Sequence, residues 1–167
     1  MSIGQISDRK WYLAQHINAA KKREALFAWL GELQITSWTP QMHSKVRRTD
    51  AIMSFRHRIT PVFPGYFFLK ADFNKYPIDV IRSHSAFIDF VKYGGTIRPV
   101  DGRIVDSLME IYPEHALAPG ARETFDPVSQ EWLTKVQYQY LLRLENNPVP
   151  ESRIAMLLDL VLRSQSA

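Results

Sequence analysis

The sequence predicts an α+β fold: a sheet–helix sandwich over residues 8–113, a linker over 114–125, and a C-terminal helical hairpin over 126–165. Three observations carry this. Up to residue 113, short aromatic and aliphatic runs of strand length alternate with helical periodicity in the order β-α-β-β-β-α-β-(β)-α. That order suits an antiparallel or mixed sheet with helices on one face. From Pro113 to Pro127 the chain then holds three prolines and Gly120, which is linker composition. Beyond it come two amphipathic stretches separated by Asn146-Asn147-Pro148-Val149-Pro150.

Taken in order, Trp11-Tyr12-Leu13-Ala14 is the first strand. Asn18 is a candidate N-cap for a helix over 19–33, whose Leu26, Phe27, Leu30 and Leu33 follow helical spacing. Lys21, Lys22 and Arg23 start that helix against its dipole, which hints at a role for them. Ile35 to Met42 reads as a second strand made irregular by Pro40. Residues 43–60 form a hairpin with a polar tip at Arg47-Arg48-Thr49-Asp50, and Pro61-Val62-Phe63-Pro64-Gly65 is a rigid bend. Tyr66-Phe67-Phe68-Leu69 has the composition of a central strand buried on both faces.

Pro77 opens a short helix through Ser83, Phe87–Val91 is a strand, and Gly94-Gly95 a turn. Asp101 caps a helix carrying Ile104, Leu108 and Ile111. In the tail, Asp126-Pro127 starts a helix with the stripe Trp132, Leu133, Val136, Tyr140, Leu141 and Leu144. Ile154, Leu157, Leu158, Val161 and Leu162 make the second stripe. Tyr138, Tyr140, Leu142 and Leu144 also alternate as a strand does, so a β reading of that segment stays open. Two such stripes cannot bury themselves and must dock on the preceding domain or on a partner.

Composition narrows the classes. Of 167 residues, 46% are hydrophobic and 23% charged, which excludes collagen-like, coiled-coil and wholly disordered chains. The absence of cysteine removes disulfides, thiolate zinc sites and thiol nucleophiles. No apolar run has the length of a membrane span and the N-terminus lacks a signal-peptide pattern, so a cytoplasmic protein is expected. Residues 1–116 hold 16 Lys/Arg against 11 Asp/Glu, whereas 117–167 hold 5 against 6. Within 41–60 the balance is 5 to 1, with His43 and His57 in addition. A positive field this local favours a polyanion at one surface; the alternative is a solvated charged hairpin.

Enzymatic constellations are missing. There is no phosphate-binding glycine loop, no Gly-x-Ser-x-Gly elbow and no metal-ligand spacing among the five histidines, so no catalytic residue, metal or cofactor is expected. Arg56-His57-Arg58 as a nuclease base lacks an accompanying acid, nucleophile or metal.

Four strings in fixed order carry a resemblance. They are Trp11-Tyr12-Leu13, Trp38-Thr39-Pro40, Pro61-Val62-Phe63-Pro64-Gly65-Tyr66-Phe67-Phe68 and Phe90-Val91-Lys92-Tyr93-Gly94-Gly95. Over residues 10–112 the chain resembles the N-terminal (NGN) domain of the NusG family of transcription elongation and antitermination factors. In style it is similar to the specialised, RfaH-like and plasmid-borne members. The resemblance implies an NGN-type, ferredoxin-like sandwich that binds RNA polymerase at the clamp helices of its largest subunit and suppresses pausing and termination at particular operons. It implies a monomer, with non-template DNA near the transcription bubble as a second partner.

The polymerase-facing positions it assigns are Phe63, Tyr66, Phe68, Tyr93, Val105 and Leu108, for which ordinary core is the alternative. The nucleic-acid-facing positions are Lys45, Arg47, Arg48, Arg56 and Arg58, continued by His84 and Ser85. Trp132, Val136, Tyr140, Leu144, Ile154, Leu157, Leu158 and Val161 are expected to dock the tail on the polymerase-facing patch. The chain departs from the family in two places. Pro77, Ile78 and Asp79 stand where specialised members have His-Thr-Thr, which puts a contact to the second large subunit in question. The hairpin stands in place of a recognisable KOW barrel, although Glu151 to Leu158 resembles the fold-switching RfaH tail, so contact with a ribosome or termination factor is not implied. A stand-alone α+β nucleic-acid-binding module is the alternative reading.

Overall fold

The computed structural model of the protein describes residues 9–47, 55–112, 139, 143–144 and 146–165. Among them lie β1 (Lys10–His16), α1 (Ala20–Glu32), β2 (Thr36–Trp38), β3 (Gln41–Arg47), β4 (Phe55–Pro61), β5 (Tyr66–Ala71) and α2 (Ile78–Ile81). β6 (Phe87–Phe90), β7 (Lys92–Tyr93), β8 (Thr96–Ile97), α3 (Gly102–Ile111) and α4 (Pro150–Gln165) follow. The expected linker at 114–125, the tip Arg48–Asp50 and most of the first hairpin arm lie outside the described residues. Positions 139, 143 and 144 of that arm are helical.

β2, β5, β1 and β6 form one antiparallel sheet in that spatial order. Setting the β3–β4 ribbon aside, this is the ferredoxin-like arrangement of two split β-α-β units. β5 is central, and its Phe67, Phe68 and Leu69 are buried on both faces, as their composition predicts. The two-residue period of the strands sorts the core into two clusters. Tyr12, Ala14, Phe67 and Leu69 pack with Leu26 and Leu30 of α1 and Ile81 of α2. Leu13, Trp38 and Phe68, neighbours across three strands, pack with Ile104, Val105 and Leu108 of α3 and with Leu157, Leu160 and Val161 of α4. Helices therefore cover both faces, not the single face expected. The two crossover helices take one side and the C-terminal pair the other, because both faces of β5 are apolar and each needs a cover.

Two local expectations are corrected. Asn18 is not the cap of α1: Ala19 holds that position with no side-chain hydrogen bond. The helix ends instead in a Schellman arrangement, Gln34 N–H to the Gly31 carbonyl (3.0 Å) and Ile35 N–H to the Leu30 carbonyl (2.9 Å), with Gln34 at φ 60°. The strand expected over 35–42 is two strands broken at Thr39-Pro40, since proline gives no donor to the ladder. The turn at Gly94-Gly95 joins β7 to β8 with φ of 60° and 78° at its two glycines, the values a type I′ hairpin demands.

Candidate binding face beneath the C-terminal helix

The bend before β5 is built locally. Phe63-Pro64-Gly65-Tyr66 closes as a β-turn in which Tyr66 N–H donates to the Phe63 carbonyl at 3.0 Å. Proline presets its own φ and Gly65 takes φ 81°, the combination of a type II turn. His16 N–H donates to the Gly65 carbonyl (2.9 Å) and the Thr39 hydroxyl to the Tyr66 carbonyl (2.8 Å), pinning the bend to β1 and to the end of β2. Phe63 is thereby buried. Tyr66 stays half-buried, its hydroxyl accepting from Gln15 Nε2 at 2.7 Å.

α3 supplies the adjoining surface. Asp101 caps it, accepting from Arg103 N–H at 3.0 Å, and the Arg103 side-chain hydrogen bonds hold its carboxyl below the usual range. Ile104, Val105 and Leu108 project from one side of the helix and are fully buried. Tyr93 of β7 joins them; burial pushes its phenol up to about 12. Its buried hydroxyl has no hydrogen-bond partner among the described residues.

α4 covers this surface. Its buried stripe is Arg153, Leu157, Leu160 and Val161, with Ile154 and Leu158 half-buried and Leu162 52% exposed. The predicted stripe of Ile154, Leu157, Leu158, Val161 and Leu162 is thus rotated toward Arg153 and Leu160, two residues that the periodicity missed. Leu160 could have been found three positions after Leu157. Nothing in an apolar pattern flags an arginine. Arg153 is 4% exposed, and its Nε donates to the Val62 carbonyl (2.9 Å) while Nη1 donates to the Asn147 carbonyl (2.8 Å). Val62 precedes Phe63, so the guanidinium ties α4 and the loop before it to the bend. Charged donors to carbonyls are the stronger class of hydrogen bond, and here they offset the desolvation of a buried cation.

One buried cluster therefore unites Phe63, Phe68, Tyr93, Val105 and Leu108 with Leu144, Leu157, Leu160 and Val161, and Tyr66, Ile154 and Leu158 pack at its edge. Phe68 lies on the central strand between Leu13 and Trp38, so it is sheet core as much as patch. Trp132, Val136 and Tyr140 lie outside the described residues.

The strand directions bring the polar candidates to one end of the sheet. The last residues of β1 and β2 and the first of β5 and β6 share that end, His16 opposite Phe87 and Trp38 opposite Phe68. From it leave the β3–β4 ribbon, the bend and the basic first turn of α1. The loop of His84 and Ser85 joins them, through Ile17 N–H bonded to the Ala86 carbonyl at 2.9 Å. His84 Nδ1 accepts from Ala86 N–H (3.1 Å), and its ring lies 5.2 Å from that of Trp29. Ser85 is exposed. Within the ribbon, Lys45 opposes His57 and Arg47 opposes Phe55, while Arg58 opposes Ser44 and Arg56 opposes Val46. Side chains alternate along a strand, so positions 45 and 47 fall on one face and 56 and 58 on the other. The four basic residues grouped by sequence are divided by register, and Arg48 lies outside the described residues.

No helix among the described residues is long and apolar enough to cross a membrane. A family model described as "Transcription termination factor nusG" matches residues 9–109. No curated protein matches the chain. A solved structure described as "Domain interaction in Thermotoga maritima NusG" aligns over 61% of this chain and 56% of that one, with 20% identity and a TM-score of 0.37. This chain thus spans little more than half the length of that protein.

Proposed function

This chain belongs to the NusG family of transcription factors, and from that premise we propose that it is a non-enzymatic elongation and antitermination factor whose apolar face docks on RNA polymerase. The proposed docking site is the clamp helices of the largest subunit. The observation that carries the reading is the burial of Phe63, Tyr93, Val105 and Leu108 in one cluster with Leu157 and Val161 of α4. An apolar face that a protein covers with its own helix is one that would otherwise seek a partner. Residues 8–113 would then be the polymerase-binding unit, 114–125 a linker and 126–165 a cover.

The energetics follow from competition. Polymerase must displace α4, so apparent affinity falls by the fraction of molecules in which the cover is open. Once bound across the main channel, the factor would be held more tightly by the closed, elongating polymerase than by a paused one. A differential of ~1–3 kcal/mol would change pausing by about 5- to 150-fold. The ribbon, His84 and Ser85 would contact phosphates of non-template DNA, which position the factor without specifying sequence. The role is cytoplasmic and monomeric, specialised to particular operons, and calls for no metal or cofactor.

The test is capture of purified RNA polymerase by full-length protein, Tyr66→Ser, Phe63→Ser and Leu157→Glu, with folding checked by circular dichroism. Tyr66→Ser and Phe63→Ser should lose capture, whereas Leu157→Glu, which unseats the cover, should gain it. Capture by no folded form, alongside tight salt-dependent binding to free nucleic acid, would overturn the reading in favour of a stand-alone nucleic-acid module.

A further inference from the structure

Methionine lines the edge of the cluster beneath α4. The chain has no cysteine, so thioethers are its only sulfur groups. Met42, Met109 and Met156, the methionines among the described residues, are all half-buried, and all pack against that cluster. Met156, on α4 itself, is also tied to the joint that leads the chain into the helix. Its Sδ accepts from Asn147 Nδ2 at 3.6 Å, and the same amide donates to Ser152 Oγ at 2.8 Å. The rest of Asn147 holds the joint closed. Its N–H donates to the Leu144 carbonyl (3.2 Å), its Oδ1 accepts from Val149 N–H (3.0 Å), and its carbonyl accepts from Arg153 Nη1 (2.8 Å). The joint lies at the surface: Asn146, Pro148 and Val149 are exposed, as is Ala155 beside Met156. A small oxidant therefore has a short path to this sulfur.

We propose that Met156 is a modification site: a hydroperoxide oxidises its thioether to the sulfoxide, and the sulfoxide unseats α4. This rests on the reading above only for its consequence, the uncovering of the proposed docking face. In the step, the sulfur attacks one peroxide oxygen, the O–O bond breaks, and a proton moves to the departing oxygen, which leaves as water when the oxidant is hydrogen peroxide. Sulfur loses an electron pair and the peroxide gains it. The geometry makes the product a poor fit. Nδ2 and Sδ stand 3.6 Å apart, too close for an oxygen to sit between them at hydrogen-bond distance from the nitrogen. Either the Asn147 amide gives way, and with it the carbonyl that anchors Arg153, or the oxygen takes the sulfur's other lone pair on a side chain packed against apolar neighbours. Both outcomes weaken the seat of α4, because a polar group without a partner is costly where an apolar one packed. Methionine sulfoxide reductases return the sulfoxide to the thioether, so the device resets. Met42 and Met109 belong to β3 and α3, on the covered side, and their oxidation serves as the comparison.

The experiment treats the full chain with dilute hydrogen peroxide, maps sulfoxides by peptide mass spectrometry and reads α4 by hydrogen exchange. Wild type, Met156→Leu and Met42→Leu/Met109→Leu are each compared with their own untreated form, so differences in baseline stability cancel. With Met156 oxidised, α4 amides of the wild type should exchange roughly tenfold faster while β1 and β5 keep their protection. Met42→Leu/Met109→Leu should respond as wild type does, and Met156→Leu should not respond. Reduction of Met156 by methionine sulfoxide reductases with dithiothreitol, confirmed by mass, should restore the untreated rate. Unchanged α4 exchange with Met156 oxidised would overturn the proposal. So would a Met156 that stays a thioether while Met42 and Met109 oxidise, an equal response in Met156→Leu, a sheet that loosens together with α4, or exchange that stays fast after reduction. Capture of RNA polymerase by the same oxidised sample separates this from the functional reading: faster α4 exchange with no gain in capture leaves the oxidation site standing and removes the docking face.

Discussion

Replacing Leu157 by alanine isolates what α4 contributes. Leu157 is fully buried against the α3 side of the sheet, so truncation removes its apolar contacts and leaves a cavity. Substitutions of this kind cost about 3 kcal/mol. A helix of 16 residues is marginal in water without tertiary support, so protection of its amides depends on docking. If α4 is a separable cover, the whole cost falls on its opening equilibrium, and about 3 kcal/mol is roughly a 150-fold rise in the open population. Hydrogen exchange read by mass spectrometry should show α4 peptides exchanging roughly 150-fold faster, while β1 and β5, on opposite sides of whose pairing lie the two clusters, keep their protection. Exchange that accelerates equally in α4 and in the sheet would refute the reasoning. It would mean that the helix belongs to one cooperative core and covers nothing that can be uncovered.

Three further outcomes are expected. Burial lowers the pKa of His16 from 6.5, with Arg23 adding to the effect and the Ile17 carbonyl bond opposing it. The folded state thus binds fewer protons than the unfolded one: stability is complete above pH 6.5 and declines as pH falls through the lower folded value. Thermal unfolding should show that acid slope in wild type and lose it in His16→Leu. Gln34→Gly should stabilise by about 0.5–1 kcal/mol in denaturant unfolding, because φ 60° strains any side chain with a Cβ. Tyr93→Phe should leave the melting temperature unchanged or raise it, since the hydroxyl it removes is buried without a described partner. The same substitution should delete one phenol titrating near 12 from the ultraviolet pH profile.

Much of the fold was legible because its signals are short-range. The Asp101 cap, the Pro64-Gly65 bend, the Gly94-Gly95 hairpin and the doubly buried β5 each depend on a few neighbouring residues and appear where their local chemistry places them. The α1 start was misread because an aspartate- or asparagine-like cap is a preference, and the chain places Ala19 there instead. In the cluster beneath α4, the resemblance had already named Phe63 and Tyr93, with Tyr66 at the edge. Its cover was legible only in part, since Arg153 is polar by type and apolar by position.

Sequence alone determined the order of the elements, the turns that join them and the amphipathic character of α3 and α4, because dihedral preference and periodicity act within a few residues. Tertiary structure decided which side of the sheet each helix takes, the rotation of α4 about its axis, and which ribbon face each basic residue occupies. Those outcomes depend on contacts between residues distant in the chain. A shift of one residue in register exchanges the two faces of a strand, and only the pairing of Lys45 with His57 and Ser44 with Arg58 settles it.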